Sequence, residues 1–99
     1  MANEHLAEIT WSEALVRRGL PNFDGTIDPA WIEGARPGKD EGWSLNCTFA
    51  APPSQQGNPS KARVRFLMDE APHDYLRPGA QLKLFERSTS EYAAVLILD

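Results

Sequence analysis

Few side chains in this chain could do covalent, acid–base or metal chemistry. His5 and His73 are its only imidazoles and Cys47 its only thiol, and neither histidine lies at ligand spacing from Cys47 or from the other. A zinc site asks for three or four such ligands, so no metal site is expected. Cys47 belongs to the run Trp43-Ser-Leu-Asn-Cys-Thr-Phe49 and shares one face of it with Trp43, Leu45 and Phe49. That company makes it a small core residue, whereas a nucleophilic thiol needs a partner base and an exposed, electropositive setting. Ser88, Thr89 and Ser90 have no histidine nearby and read as turn-formers. The acidic pairs Asp40/Glu41 and Asp69/Glu70 are sequence neighbours in loops. Neighbouring side chains of extended chain point apart, so no shared carboxylate site is expected. The residues imply no catalytic centre, no cofactor and no small-molecule substrate.

A phosphate-cradling loop needs G-x-x-x-x-G-K-[ST]. The nearest match, Gly34-Ala-Arg-Pro-Gly38-Lys39-Asp40, is one residue short between its glycines. It also puts a carboxylate where a Mg²⁺-binding hydroxyl belongs, so a solvent turn is expected there. The basic residues offer more. Lys61, Arg63 and Arg65 line one face of an extended run, while Arg17, Arg18 and Arg36 lie outside the clear strands. An outward strand of this kind contacts phosphates or an acidic protein surface, or it pairs across the sheet with acids such as Glu86 or Glu91. Cross-strand pairing is the simpler reading, and such charges also protect an edge from aggregation. Trp11 and Trp43 fall on apolar faces and belong to the core. Trp31, between Pro29 and Gly34, is either core or the aromatic anchor of an interface. The candidate interaction surface is therefore Arg17, Arg18, Trp31, Arg63 and Arg65.

Strands must position these groups. Lys61-Ala-Arg-Val-Arg-Phe-Leu-Met68 alternates, with Ala62, Val64, Phe66 and Met68 on one side and Lys61, Arg63, Arg65 and Leu67 on the other. A period of two over such a run is a strand with one buried face. Pro78-Gly79 then predicts a turn, followed by strands at 81–87 and 92–98. Strands are also expected at 43–49, at 5–11, and near Asp28–Ile32, where Ile27, Trp31 and Ile32 read as inward anchors. The strand at 5–11 competes with a helix over 11–18 that has Thr10 as N-cap, Glu13 in the capping box and Gly19 as C-cap; the strand is kept and residues 12–19 stay open. The stretch 51–59 is Pro/Gly-rich and polar, and reads as a flexible loop joining strand 43–49 to strand 61–68. One helical turn is expected near Asp74–Arg77.

The 99 residues make one domain, and 41% hydrophobic content with three Trp, four Phe and two Tyr supplies a core. Net charge is −4, which argues against gripping nucleic acid by bulk electrostatics. One cysteine permits no internal disulfide and suits a reducing compartment. The first residues lack a basic and apolar leader pattern, and no apolar run approaches the ~20 residues of a membrane span. A cytoplasmic protein with no membrane contact is expected. Short strands with Pro/Gly turns indicate an all-β barrel or sandwich.

The order of these pieces resembles a known family. Ala62-Arg-Val-Arg-Phe-Leu-Met-Asp-Glu-Ala71, Leu76-Arg-Pro-Gly-Ala-Gln-Leu-Lys-Leu-Phe-Glu-Arg87 and Val95-Leu-Ile-Leu98 are similar to the end of the C-terminal β-barrel of elongation factor Tu. Ala7-Glu-Ile-Thr-Trp11, followed by Arg17-Arg18-Gly19 and Pro21, fits its first strand and its glycine/arginine-rich loop. The family's Gly-Gly-Arg turn between the last two strands reads Arg87-Ser-Thr-Ser-Glu91 here, a remodelled hairpin. The resemblance implies a small six-stranded closed β-barrel with Pro/Gly-rich loops, acting as a non-catalytic interaction module. In the elongation factor this barrel helps to bind tRNA and docks on neighbouring domains. A protein partner is thus expected first, and RNA as the alternative.

Overall fold

The computed structural model describes residues 4–86 and 90–99. Six strands carry the fold: β1 His5–Trp11, β2 Gly25–Ile32, β3 Trp43–Thr48, β4 Ser60–Phe66, β5 Gln81–Glu86 and β6 Ser90–Ile97. Each pairs antiparallel with two others, and the order β1-β4-β3-β2-β5-β6 closes into a barrel. Closure gives each strand a partner on both sides. The strand spacing implied a small all-β barrel or sandwich, and the closed six-stranded barrel is the form observed.

Alternation fixes which side chains meet inside. Ala7, Ile9 and Trp11 of β1, Leu45 and Cys47 of β3, and Ala62, Val64 and Phe66 of β4 are buried together with Leu82, Leu84, Val95 and Ile97. A slip of one residue would turn every one of these outward. Among the described residues, Ser60 is the one buried polar residue. It is satisfied, because its Oγ accepts from Trp11 Nε1 at 3.0 Å and donates to the Gly57 carbonyl at 2.6 Å.

Two helices cap one end of the barrel: α1, Glu13–Arg18, and α2, Pro53–Gln56. The open choice over 12–19 resolves into both elements in turn. Thr10 stays in the ladder opposite Ala94, so it cannot cap a helix. Ser12 caps instead, its Oγ accepting from Leu15 N, and Gly19 ends the helix at φ 108°. The 51–59 loop is not the loose connection its composition implied. Pro53 is buried, and the Gln56 side chain bonds Ala51, the Lys61 amide and the Lys61 carbonyl. Asn58 pairs with both backbone groups of Trp11 and so takes the place of a strand partner.

Three inward assignments are corrected. On β2 the ladder sets Thr26 opposite Cys47 and Asp28 opposite Leu45, so the even positions face in. Ile27 is therefore 56% exposed, Trp31 points outward, and Ala30 and Ile32 are the residues that pack on the core. Met68 is 45% exposed because β4 ends at Phe66 and the chain turns away there. Ala71 and Leu76 fill the space beyond it, flanking one 3-10 turn at His73–Tyr75. The Pro78-Gly79 turn is present, with Gly79 at φ 91°. The expected strand end at Arg87 and the turn-formers Ser88 and Thr89 lie outside the described residues, while Ser90 begins β6.

Candidate interaction surface

The barrel distributes the five candidate residues over three regions. Arg17 and Arg18 sit on α1 at the capped end, and Arg17 is paired with Glu13 one helical turn earlier. Trp31 lies on the outer face where β2 meets β5, opposite Lys83. Arg63 and Arg65 lie on the outside of β4. Lys61 precedes them on the same face.

Trp31 is neither core nor a free anchor. Its ring packs edge-on against Phe85 at 5.5 Å, and its indole N–H donates to the Asp40 carbonyl at 3.2 Å. The loop 33–42 lies over it so closely that a Cβ at Gly42 would stand 2.5 Å from the ring. The same loop contains the near-match to a phosphate cradle. There the Asp40 carboxylate accepts from the Arg36 amide at 2.8 Å, so the turn is filled by its own side chain.

Arg63 and Arg65 behave differently from the pairing first expected. Glu86 and Glu91 belong to β5 and β6, and β4 has β1 and β3 as neighbours. Glu91 pairs instead with Lys83 at 3.2 Å. Across the ladders, Lys61 stands opposite Glu8, Arg63 lies between Leu6 and Thr48, and Arg65 faces Asn46. Neither arginine side chain has a hydrogen-bond or ion-pair partner among the described residues. The next strand continues the same face with Ile27 opposite Asn46 and Pro29 opposite Ser44. Two unpaired guanidinium groups, a row of short polar side chains and an exposed isoleucine thus form one sheet surface. Beside it, at the α2 end, a cleft of about 330 Å³ is lined by Leu6, Phe49, Gln56, Lys61 and Arg63. Ile27 and Asn46 were not candidates in the sequence. Their signal was available in the parity of β2 and β3 once the two strands are set in register.

The potential reactive groups are held apart. Cys47 is fully buried, and its thiol is pushed up to about 12, first by burial and then by the charge of Asp28. A thiol so protonated is neither a nucleophile nor a ligand at neutral pH. His5 contacts the terminal Asp99, while His73 bonds the Met68 carbonyl and packs on Phe66. Among the described residues, no three His, Cys, Asp or Glu side chains cluster to hold a metal ion, and no helix is long and apolar enough to cross a membrane. No family model matches the chain, and no curated protein or solved structure is significantly similar to it.

Proposed function

We propose that this chain is a non-catalytic interaction module that binds a protein partner through the outer face of β4, β3 and β2. The observation that carries the reading is the pair Arg63 and Arg65, exposed or half-buried on a regular strand with no acidic partner among the described residues. A chain of net charge −4 that leaves guanidinium groups unpaired on one face offers that face to an acidic surface. Arginine next to exposed apolar groups is also the composition that concentrates binding energy in protein interfaces. The exposed Ile27 and the half-buried Leu6 at the cleft supply those apolar groups. Trp31, clasped by its loop, takes no part. A reducing, cytoplasmic setting is part of the proposal and is supported by the free, buried thiol of Cys47.

The resemblance to the elongation-factor barrel supplies RNA as the competing partner. The residues flanking the arginines in register are Leu6, Thr48 and Asn46. None of these gives a base the aromatic stacking platform that single-stranded RNA recognition uses, which favours the protein reading. A pull-down from native lysate, with and without RNase and at low and high salt, compares the wild type with Arg63→Glu/Arg65→Glu. The expected result is a protein retained through RNase and lost on charge reversal. Retention abolished by RNase, with a steep fall in added salt, would move the assignment to RNA. Retention indifferent to the charge reversal would remove this face from the proposal.

A further inference from the structure

The barrel is closed but its seam between β2 and β5 is short. The two strands pair only from Ala30–Ile32 to Leu82–Leu84, although β2 begins at Gly25 and β5 runs on to Glu86. The β5–β6 register shifts by one residue between Leu84/Ala93 and Phe85/Glu91, at the point where the seam ends. Above that point β2 and β5 diverge, and α1 lies across the gap. The gap is a cleft of about 420 Å³, within the range of roughly 300–1,000 Å³ typical of small-molecule sites.

Its lining combines apolar and charged groups. Leu15, Pro21, Pro29, Phe85 and Tyr92 form its walls, and two charged side chains of opposite sign enter between them, Asp28 and Arg18. Asp28 is on the inward set of β2, whose counterparts on neighbouring strands are Leu45 and Cys47. Asp28 is half-buried there, and its carboxylate opens onto the cleft. Its one hydrogen bond among the described residues comes from the Thr26 hydroxyl at 2.8 Å, while a carboxylate has about four acceptor sites. No ion pair joins Asp28 to Arg18, and the Arg18 guanidinium has no partner among the described residues.

We infer that this seam binds a small zwitterion of the α-amino acid class, with the ammonium on the Asp28 carboxylate, the carboxylate on the Arg18 guanidinium and an apolar side chain against Phe85 and Pro29. A simple cation would meet the Arg18 charge and a simple anion that of Asp28. A molecule carrying both charges satisfies both groups and removes apolar wall from water. The site is separate from the β4 face and does not depend on the partner proposed for it.

Amide-resolved NMR titrations of the whole chain with L-leucine and L-phenylalanine test this. N-acetyl-L-leucine, lacking the ammonium, and L-leucinamide, lacking the carboxylate, serve as charge-blocked probes. The expected result is saturable amide shifts at Thr26–Asp28, Ala30 and Phe85, weakened at least about tenfold by either block, or roughly 1.4 kcal/mol. Asp28→Asn should abolish the preference for the free ammonium, and Arg18→Gln that for the free carboxylate. Arg18 is exposed on a surface helix, so its variant keeps the test decisive should Asp28→Asn fold poorly. Absence of saturable shifts into the millimolar range, equal binding of the blocked probes, or binding indifferent to Arg18→Gln would each overturn the assignment.

Discussion

A thiol at the centre of a barrel resists losing its proton because no water reaches the charge that would form. For Cys47 the usual value of 9.0 rises to about 12, through burial and then the nearby Asp28 carboxylate. The consequence for stability follows from the direction of the shift. Below about pH 8.5 the thiol is protonated in both folded and unfolded chains, and it contributes no pH dependence. Above that, the unfolded chain releases the proton while the folded chain keeps it, so unfolding becomes progressively easier as pH approaches 12. The slope attributable to one such group is at most about 1.4 kcal/mol per pH unit. Urea unfolding at neutral pH and near pH 10 should show a loss of about 1–2 kcal/mol in the wild type beyond that in Cys47→Ala, which cannot titrate there. A thiol reagent at neutral pH should modify Cys47 only at the rate of unfolding. Equal alkaline slopes in the two proteins would contradict the buried thiol.

At the scale of elements, the helix ends and the loops over the barrel carry the consequences. Ser12 caps α1 from the position just past the β1 ladder, and Ser12→Ala should destabilise the fold by about 1 kcal/mol in thermal or urea unfolding. The loop 33–42 presses on Trp31 through Gly42, where a side chain has no room. Gly42→Ala should cost about 1–3 kcal/mol, as overpacking does, and should change tryptophan fluorescence. An unaltered spectrum would mean that the loop does not hold the ring. These two elements also mark what the sequence could convey. Strands 43–49 and 61–68 were legible because one apolar face repeats every second residue. The latter part of β2, Asp28–Ile32, was legible as a strand, but its parity was not. Ile27 and Trp31 are more apolar than Asp28 and Thr26, and only the pairing with β3 reverses the apparent facing. The order in the 51–59 loop was illegible for a related reason, since it depends on Gln56 and Asn58 reaching the backbones of distant strands. The unpaired state of Arg63 and Arg65 required the strand order, because sequence proximity to Glu86 and Glu91 says nothing about which strands adjoin in a closed barrel.

Across the whole molecule, charge is spread unevenly. A net −4 is combined with three basic residues along the outside of one strand, and only Lys61 has an acidic residue opposite it in register. If the arginines contributed to the fold, reversing them would destabilise it. The ladders show them beside Leu6, Thr48 and Asn46, none of which is acidic. Arg63→Glu/Arg65→Glu should therefore leave the unfolding free energy within about 0.5 kcal/mol of wild type, the usual range for surface changes away from special contacts. The same variant should lose the partner. That divergence distinguishes a binding face from a structural one, since a face kept for stability loses stability and binding together. Ile27→Ser offers the complementary check on the apolar half of the surface. Ile27 faces solvent in the free protein, so Ile27→Ser should not weaken the fold by more than about 0.5 kcal/mol. A central apolar contact, however, typically costs more than about 1 kcal/mol of binding when truncated. A partner whose affinity falls with Arg63→Glu/Arg65→Glu but not with Ile27→Ser would confine the contact to the β4 side of the sheet. Loss with both would extend it across β3 to β2.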